Sequence, residues 1–259
     1  MLVINADDWG SSGMITSRIE ECVRAGVVDT VSAMVFMKDS ERASHLASAM
    51  GLEAGLHINF TTPFDCRHAS DRLIASQQRV ISYLKGSRVA QFIFNPLLNR
   101  DFDYVFKAQY DEYYRLYKEA PARMDGHNHM HLCANMLLGN FIPRRIKVRR
   151  NNHFQKGEKG VVNRTYRSLI DLLLERRYIC TDYFLHIQQF AAGDSEERKM
   201  ALKRLGELSI KANVELLMHP HQQPDYEYAM SSDFIEAVSK MPRGRKCLDV
   251  QGSAFSGQL

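Results

Sequence analysis

Residues 2–10 read LVINADDWG and combine a short apolar run with two adjacent carboxylates, Asp7 and Asp8. An apolar run that gives way to polar residues and a glycine predicts a buried parallel strand that ends in a loop. In α/β folds the carboxyl ends of such strands carry ligands and chemistry. Two interpretations of the pair follow: one carboxylate binds a metal while its neighbour handles a proton, or an Asp caps the helix that starts near Ser12.

Strand-like and helical patterns alternate along the sequence. Apolar runs predict strands near residues 2–4, 30–36, 53–60, 122–125, 146–149, 179–185, 214–218 and 246–250. Apolar positions at helical spacing predict helices after the first loop and near 40–50, 103–119, 161–177, 195–212 and 231–241. About eight strands that alternate with helices favour a closed or nearly closed (β/α) barrel, with an open doubly wound sheet as the alternative.

We expect a single domain over residues 1–259, because no linker rich in Pro or Ser and no internal repeat interrupts this pattern. The one long irregular stretch, about 61–99, is interpreted as an insertion or lid that could cover a site. Neither a dinucleotide-binding G-x-G-x-x-G after a strand nor a P-loop motif occurs.

The composition limits the other classes of function. The chain of 259 residues is 45% hydrophobic and can bury a large core. Its net charge of +4 gives no whole-chain case for nucleic acid or an anionic membrane. Five scattered cysteines without C-x-x-C spacing suggest neither a disulfide framework nor a thiolate zinc site. With no leader pattern before Leu2 and no apolar stretch near the roughly 20 residues of a spanning helix, we expect a cytoplasmic protein.

A second cluster of polar residues follows the strand predicted near 122–125. Residues 125–131 read DGHNHMH. In an extended segment, period-two spacing would place His127, His129 and His131 on one face. One metal cannot easily take three ligands from so flat a ribbon. We therefore expect one histidine to bind the metal and the others to orient a ligand or contact substrate.

His57 adds a third strand end, because apolar residues 54–56 precede it and the polar residues Asn59 and Thr61 lie shortly after it. Asp8, His57 and His127 would then project from three strand ends around one mouth. Two histidines and one carboxylate leave coordination positions open for water and substrate, which is typical of a catalytic metal site. A divalent cation there lowers the pKa of a bound water and polarises a carbonyl, and Asp7 could take the proton of that water.

His219 ends the apolar run 214–218 and precedes Pro220. As a general acid, His219 could give a proton to a leaving group; as a turn histidine it would have no chemical role. His221, two residues further along, is the rival candidate.

Four segments of the chain together resemble the YdjC-like carbohydrate deacetylases, which are related to the polysaccharide deacetylases. They are NADDWG (residues 5–10), GLHINFT (55–61), DGHNHMH (125–131) and MHP (218–220). The resemblance covers nearly the whole chain in order. It implies a deformed, TIM-like (β/α) barrel and a hydrolase of linear amide C–N bonds that removes N-acetyl groups from sugars with a divalent metal. A homodimer is a further expectation from the family.

The resemblance also assigns roles residue by residue. It makes Asp7 the general base and His219 the general acid. The metal ligands that it implies are Asp8, His57 and His127. We expect one divalent ion, Mg²⁺ or Zn²⁺, with Mn²⁺ and Co²⁺ as alternatives. Two nitrogen ligands favour zinc, cobalt or manganese over magnesium by ligand softness, although geometry and availability decide which ion is bound.

Four further residues are candidates for contact with the substrate, an N-acetylated sugar. Arg149 resembles an arginine at the mouth of the family's barrel, which could orient the base or a substrate oxygen, and neighbouring arginines are its rivals. Trp9 stands where the family usually has Phe, so its larger ring could stack on a sugar or pack more tightly. The other two candidates are His129 and His131.

Two other functions fit parts of the sequence. The basic residues of 144–150 could bind phosphate in a metal-dependent phosphoesterase, although such a run is more often a solvated face. Together with Lys156, Lys159 and Arg164, the same run could form a surface for nucleic acid or another anionic polymer on a catalytically silent barrel.

Overall fold

Seven parallel strands form the sheet that positions the candidate residues. The computed structural model describes residues 1–151, 161–191 and 194–244, and the strand order within these ranges is β5-β4-β3-β2-β1-β7-β6. The strands are β1 (Leu2–Trp9), β2 (Thr30–Ala33), β3 (Glu53–Ile58), β4 (Arg123–Gly126), β5 (Lys147–Val148), β6 (Tyr183–His186) and β7 (Val214–Met218).

Strand β1 lies inside the sheet, between β2 and β7. All eight of its residues are buried, including the polar ones. A strand of a parallel sheet that is covered on both faces reads as a near-continuous apolar run. The apolar start of β1 therefore meets this requirement, and its polar end must find partners inside the protein.

Helices follow the strands and surround the sheet. They are α1 (Gly13–Arg24), α2 (Ser40–Met50), α3 (Asp71–Gly86), α4 (Asn99–Tyr117), α5 (Ala134–Gly139), α6 (Val161–Glu175), α7 (Gln188–Ala191), α8 (Ser195–Lys211), α9 (Gln223–Ala229) and α10 (Ser232–Ser239). Short 3₁₀ segments cover Ala90–Phe92, Pro96–Leu98 and His127–Leu132.

Local capping sets the ends of several helices. The hydroxyl of Ser12 accepts a hydrogen bond from the Ile15 amide and caps α1. Helix α2 ends at Gly51, whose φ of 59° lies in the left-handed region that favours glycine. Because Ser12 is the cap of α1, the interpretation of Asp7 or Asp8 as that cap is wrong.

The sheet curls so that its two edges approach each other. Ile179 bridges Lys147 of β5, where the Val148 amide donates to the Ile179 carbonyl at 2.9 Å. The same chain segment then continues into β6, which pairs with β7. The backbone between residues 179 and 186 therefore links the two edges of the sheet.

The predicted TIM-like (β/α) barrel is confirmed in its deformed form, and most of the predicted strands and helices are present. The strand predicted at 246–250 lies outside the described ranges, which contain seven strands. One detail differs. The 61–99 stretch is not mainly irregular, because α3 occupies residues 71–86 and packs against α4. None of the helices in the described ranges has the length and apolar character needed to cross a membrane.

A close contact at Gly126 generates a prediction about folding. A Cβ atom at Gly126 would lie 2.7 Å from the backbone nitrogen of His131, so one of the two must move. We expect Gly126→Ala to lower the free energy of unfolding by about 1–3 kcal/mol, the usual cost of overpacking. Gly86→Ala is the control, because a Cβ there meets nothing within 4 Å. Urea unfolding of both variants tests this, and a wild-type midpoint for Gly126→Ala would contradict it.

Candidate active site

A β-bulge at the carboxyl end of β1 holds the two adjacent carboxylates. The pairing of β1 with β2 shifts register between Ala6 and Trp9, so Asp7 and Asp8 lie in the irregular stretch. Asp8 has a φ of 69°, in the left-handed region that residues other than glycine rarely occupy. Bulges redirect side chains and are common next to active sites. Here the two neighbouring carboxylates have different nearest partners, although His57 Nε2 lies within 4 Å of both, 3.8 Å from Asp7 Oδ2 and 3.4 Å from Asp8 Oδ1.

Asp8 lies beside two histidines. Its Oδ1 atom is 3.0 Å from Nδ1 of His127 and 3.4 Å from Nε2 of His57. One ligand atom from each of the three side chains lies within 4.8 Å of the other two. Asp8 and His57 are buried, whereas His127 is partly exposed. The structure thus brings together the three residues expected to bind the metal, and His127 is the one of them that is partly exposed to solvent.

Asp125 orients the His57 ring. The two residues are register partners on the adjacent strands β3 and β4. His57 Nδ1 lies 2.6 Å from Asp125 Oδ1. A carboxylate on one nitrogen of a histidine fixes the tautomer that leaves the other nitrogen for a metal. Sequence analysis gave Asp125 no role, because the residue opposite His57 is known only once the register of the sheet is known.

Arg149 binds Asp7 through a bidentate ion pair inside the protein. Its Nη1 and Nη2 atoms donate to Oδ2 and Oδ1 of Asp7, both at 2.8 Å. Its Nε donates to Glu215 at 2.8 Å, and Nη2 lies 2.8 Å from Asp125. The Arg149 side chain is fully buried. Of the two roles considered for Arg149, the geometry therefore favours holding Asp7 over contact with a substrate.

Glu215 is a second residue of the site that sequence analysis missed. It lies within the apolar run of β7, and the sequence analysis assigned it no role. Its carboxylate accepts from Arg149 and also faces Arg123, whose Nη1 is 3.4 Å away. A charged residue inside a buried strand was the available signal, since such a group needs a partner.

Electrostatics keep both carboxylates ionised. Burial alone would raise the pKa of Asp7, but the charges of Arg149 and His57 outweigh it and hold that pKa well below its ordinary value. The pKa of Asp8 is also lowered, because hydrogen bonds from His127 and His57 outweigh burial. Burial alone would lower the pKa of His57, but the charges of Asp7 and Asp125 raise it to about 10. In the metal-free protein His57 is therefore a cation.

The 127–131 segment is not extended, so the prediction of three histidines on one face is wrong. Residues His127–Leu132 form a tight turn in which Asn128 and His129 have φ of 53° and 58°. The turn separates the rings. His127 reaches Asp8, whereas His131 is buried and donates from Nε2 to the Arg149 carbonyl at 2.9 Å. His129 stays exposed.

Trp9 packs in the core. Its side chain has no exposed surface, and the indole N–H donates to the Ala43 carbonyl of α2 at 3.1 Å. The geometry therefore favours the packing alternative for Trp9 over stacking on a sugar. His131 is likewise 1% exposed, so His129 is the one of the four candidate substrate contacts with an exposed side chain.

His219 and His221 approach the two carboxylates from the end of β7. His219 Nε2 lies 3.9 Å from Asp7 Oδ2, and His221 Nδ1 lies 3.6 Å from Asp8 Oδ2. Burial lowers the pKa of His219. Each histidine thus faces a different carboxylate, and His219 is the one beside Asp7.

These features define a class of protein: a curled (β/α) barrel whose strand ends gather two histidines and a carboxylate into a candidate metal site. More narrowly, the chain belongs to the YdjC-like family, whose sequence model, described as YdjC-like protein, matches residues 1–245. The resemblance found in the four segments is confirmed.

Two curated proteins that are similar in sequence have names that describe an enzyme activity. A carbohydrate deacetylase of Danio rerio is 28% identical over 149 residues, which cover 52% of this chain and 43% of that protein. A chitooligosaccharide deacetylase of Proteus mirabilis is 28% identical over 134 residues, covering 51% of this chain and 50% of that protein. The matches thus span about half the length of these curated relatives.

A solved structure shares the fold. It is described as a candidate cellobiose-phosphate cleavage protein from Enterococcus faecalis. The TM-score is 0.61 at 17% sequence identity, and the alignment covers 92% of this chain and 93% of that one. This likeness supports the barrel fold over the 92% of the chain that is aligned.

The buried ion pair predicts a large effect on stability. Arg149→Met removes the guanidinium from Asp7, and an uncompensated buried carboxylate costs about 3–5 kcal/mol of folding free energy. Arg79→Met is the matched control, because Arg79 pairs with Asp101 on the surface. We expect the control to change stability by less than about 1 kcal/mol. Equal urea midpoints for the two variants would contradict the structural importance of Arg149.

Proposed function

We propose that the protein is a metal-dependent hydrolase that removes N-acetyl groups from an acetylated amino sugar or short oligosaccharide. The observation that carries this proposal is the division between the adjacent carboxylates: Asp8 faces two histidines, whereas Asp7 is held by Arg149. Such a division suits one residue for a metal and the other for a proton. The names of the curated relatives support the same chemistry and the same substrate class.

Asp8, His57 and His127 are the residues that would hold the divalent metal. Their donor set fits such an ion, since Asp125 accepts from His57 Nδ1, which leaves Nε2 for the ion once its proton is displaced, and no arginine pairs with Asp8 in the described part of the chain. When bound, the ion would polarise the acetyl carbonyl and make a water more acidic. Two nitrogen donors favour zinc, cobalt or manganese over magnesium.

Asp7 and His219 would move the protons. Asp7 is ionised and held by Arg149, so it can accept a proton from the attacking water. His219 would give a proton from Nε2 to the sugar nitrogen as the C–N bond breaks. The proton that Asp7 took from the water would replace it at His219 Nε2 in the same step, across the 3.9 Å that separates the two groups, so that His219 stays neutral and both groups are restored. The net reaction adds one water and releases acetate and a protonated amine.

The phosphoesterase alternative loses its main support in the structure. Arg149 is bound by carboxylates, and Arg150 pairs with Asp171 and Glu175, each at 3.2 Å. The exposed Arg144 precedes β5 and lies toward the opposite end of that strand. The basic run is therefore divided between two ends of the barrel.

The anionic-polymer alternative relied on the same run together with Lys156, Lys159 and Arg164. Both lysines and the side chain of Arg164 lie outside the described residues. The cytoplasmic location and the homodimer stay predictions.

An acetate assay tests the proposed function. The metal-loaded protein is incubated with N-acetylated mono- and disaccharides, and in parallel with a panel of phosphate esters. We expect acetate release that stops when a chelator removes the metal. Phosphate release without acetate release would favour the phosphoesterase, and strongly salt-dependent polymer binding without either product would favour the silent barrel.

Substitutions separate the base from the ligands. Asp7→Asn should lower turnover by at least about a hundredfold, the scale of general-base catalysis, while metal stays bound. His57→Ala or His127→Ala should lose the metal itself. Turnover and metal content, measured on the same samples, distinguish these effects. Retained activity in Asp7→Asn would rule out its role as the base.

The pKa of His57 predicts how metal affinity depends on pH. His57 carries a proton below about pH 10 in the metal-free protein, and a metal can bind only its neutral ring. One proton must therefore leave, so the apparent affinity should rise about tenfold per pH unit through the neutral range. Competition with a chelator at several pH values between about 6.5 and 8.5 measures this slope. An affinity independent of pH would contradict a protonated His57.

A further inference from the structure

His186 is a residue of the mouth that the proposed chemistry does not use. It ends β6 and is partly buried beside His219. His186 Nε2 lies 3.2 Å from His219 Nδ1. The two rings are tilted by 25° with their centroids 5.2 Å apart. The two nitrogens thus face each other as in an N–H···N hydrogen bond.

The surrounding hydrogen bonds assign the protons. The backbone N–H of Gln188 donates to His186 Nδ1 at 3.4 Å, so this nitrogen is an acceptor. Burial lowers the pKa of both His186 and His219, and each neutral ring carries one proton. The proton of His186 is then on Nε2 and points to His219 Nδ1. The proton of His219 is consequently on its own Nε2, the nitrogen that faces Asp7.

A shared cation is the other arrangement that this neighbourhood suggests. One ligand atom each from His186, His219 and Asp225 lies within 4.8 Å of the others. Asp225 Oδ2 already accepts from the His219 backbone amide at 3.1 Å, although Oδ1 has no hydrogen-bond partner. The facing ring nitrogens of nearly parallel rings favour the hydrogen bond between the histidines, because ligands of one ion must point at a common third position.

We propose that His186 is a positioning residue for His219: its Nε2–H donates to His219 Nδ1, which orients the His219 ring and keeps its proton on Nε2. The catalytic consequence rests on the proposed function, because only a proton donor at His219 needs this orientation. The tautomer itself is a property of the protein at rest. It can therefore be measured without any turnover.

The test uses ¹⁵N-histidine NMR of the full chain loaded with Zn²⁺, with the His219 signals assigned from a His219→Gln sample. We expect wild-type His219 to be the Nε2–H tautomer. His186→Leu should lose this preference, whereas His186→Gln should retain it, because the amide can still donate. His45→Leu, an exposed substitution on α2, is the control and should leave the spectrum of His219 unchanged.

Turnover gives the second readout. We expect His186→Leu to lower kcat about ten- to a hundredfold with little change in KM, and His186→Gln to recover most of the loss. An Nδ1–H tautomer of His219 in the wild type would overturn the proposal, as would a His186→Leu protein with the wild-type tautomer and kcat. A fall from two bound metal ions to one in His186→Leu would also overturn it, in favour of the shared cation. A tautomer that changes as expected in a protein without deacetylase activity would support the pairing and reject only the proposed function.

Discussion

The buried guanidinium of Arg149 is the interaction on which the site depends. It reaches carboxylates from three different strands, Asp7 of β1, Asp125 of β4 and Glu215 of β7, and its charge offsets the cost of burying them. Buried ion pairs are costly to build and costly to break, since each charge has lost its water. The cation therefore ties the strand ends together and sets the position of the Asp7 side chain at the same time.

This constraint explains how two neighbouring carboxylates acquire different roles. Both Asp7 oxygens are bound by Arg149, so this side chain is held in one orientation and is poorly available as a metal ligand. The bulge after Ala6 and the left-handed φ of Asp8 turn the second carboxylate toward His57 and His127 instead. Asp125 contacts both the candidate metal ligands and the arginine, because one of its oxygens binds His57 while the other binds the guanidinium of Arg149. The network thus couples the candidate metal site to the candidate base.

Position at strand ends could be predicted from sequence, whereas register and local turns could not. The sequence predicts that His57 and His127 lie beside Asp8, because one predicted strand reaches its polar end at His57 and another ends shortly before His127. Asp125 received no role, since its partnership with His57 depends on which residues of two strands stand opposite each other. The ribbon expected after Asp125 is a tight turn, because Asn128 and the next residue adopt left-handed conformations that period-two spacing does not reveal. Helix α3 was missed in 61–99 because the polar residues around it obscured its apolar positions.

Anomalous X-ray diffraction from crystals grown with Zn²⁺ or Mn²⁺ tests the central claim most directly, because it locates the metal independently of any substrate. The account predicts one strong peak within about 2.0–2.3 Å of Asp8, His57 and His127, the usual range of such bonds. It also predicts that Asp7 remains paired with Arg149 and outside the coordination sphere. A metal bound to both oxygens of Asp7, with Arg149 displaced, would contradict the division of roles between the two carboxylates.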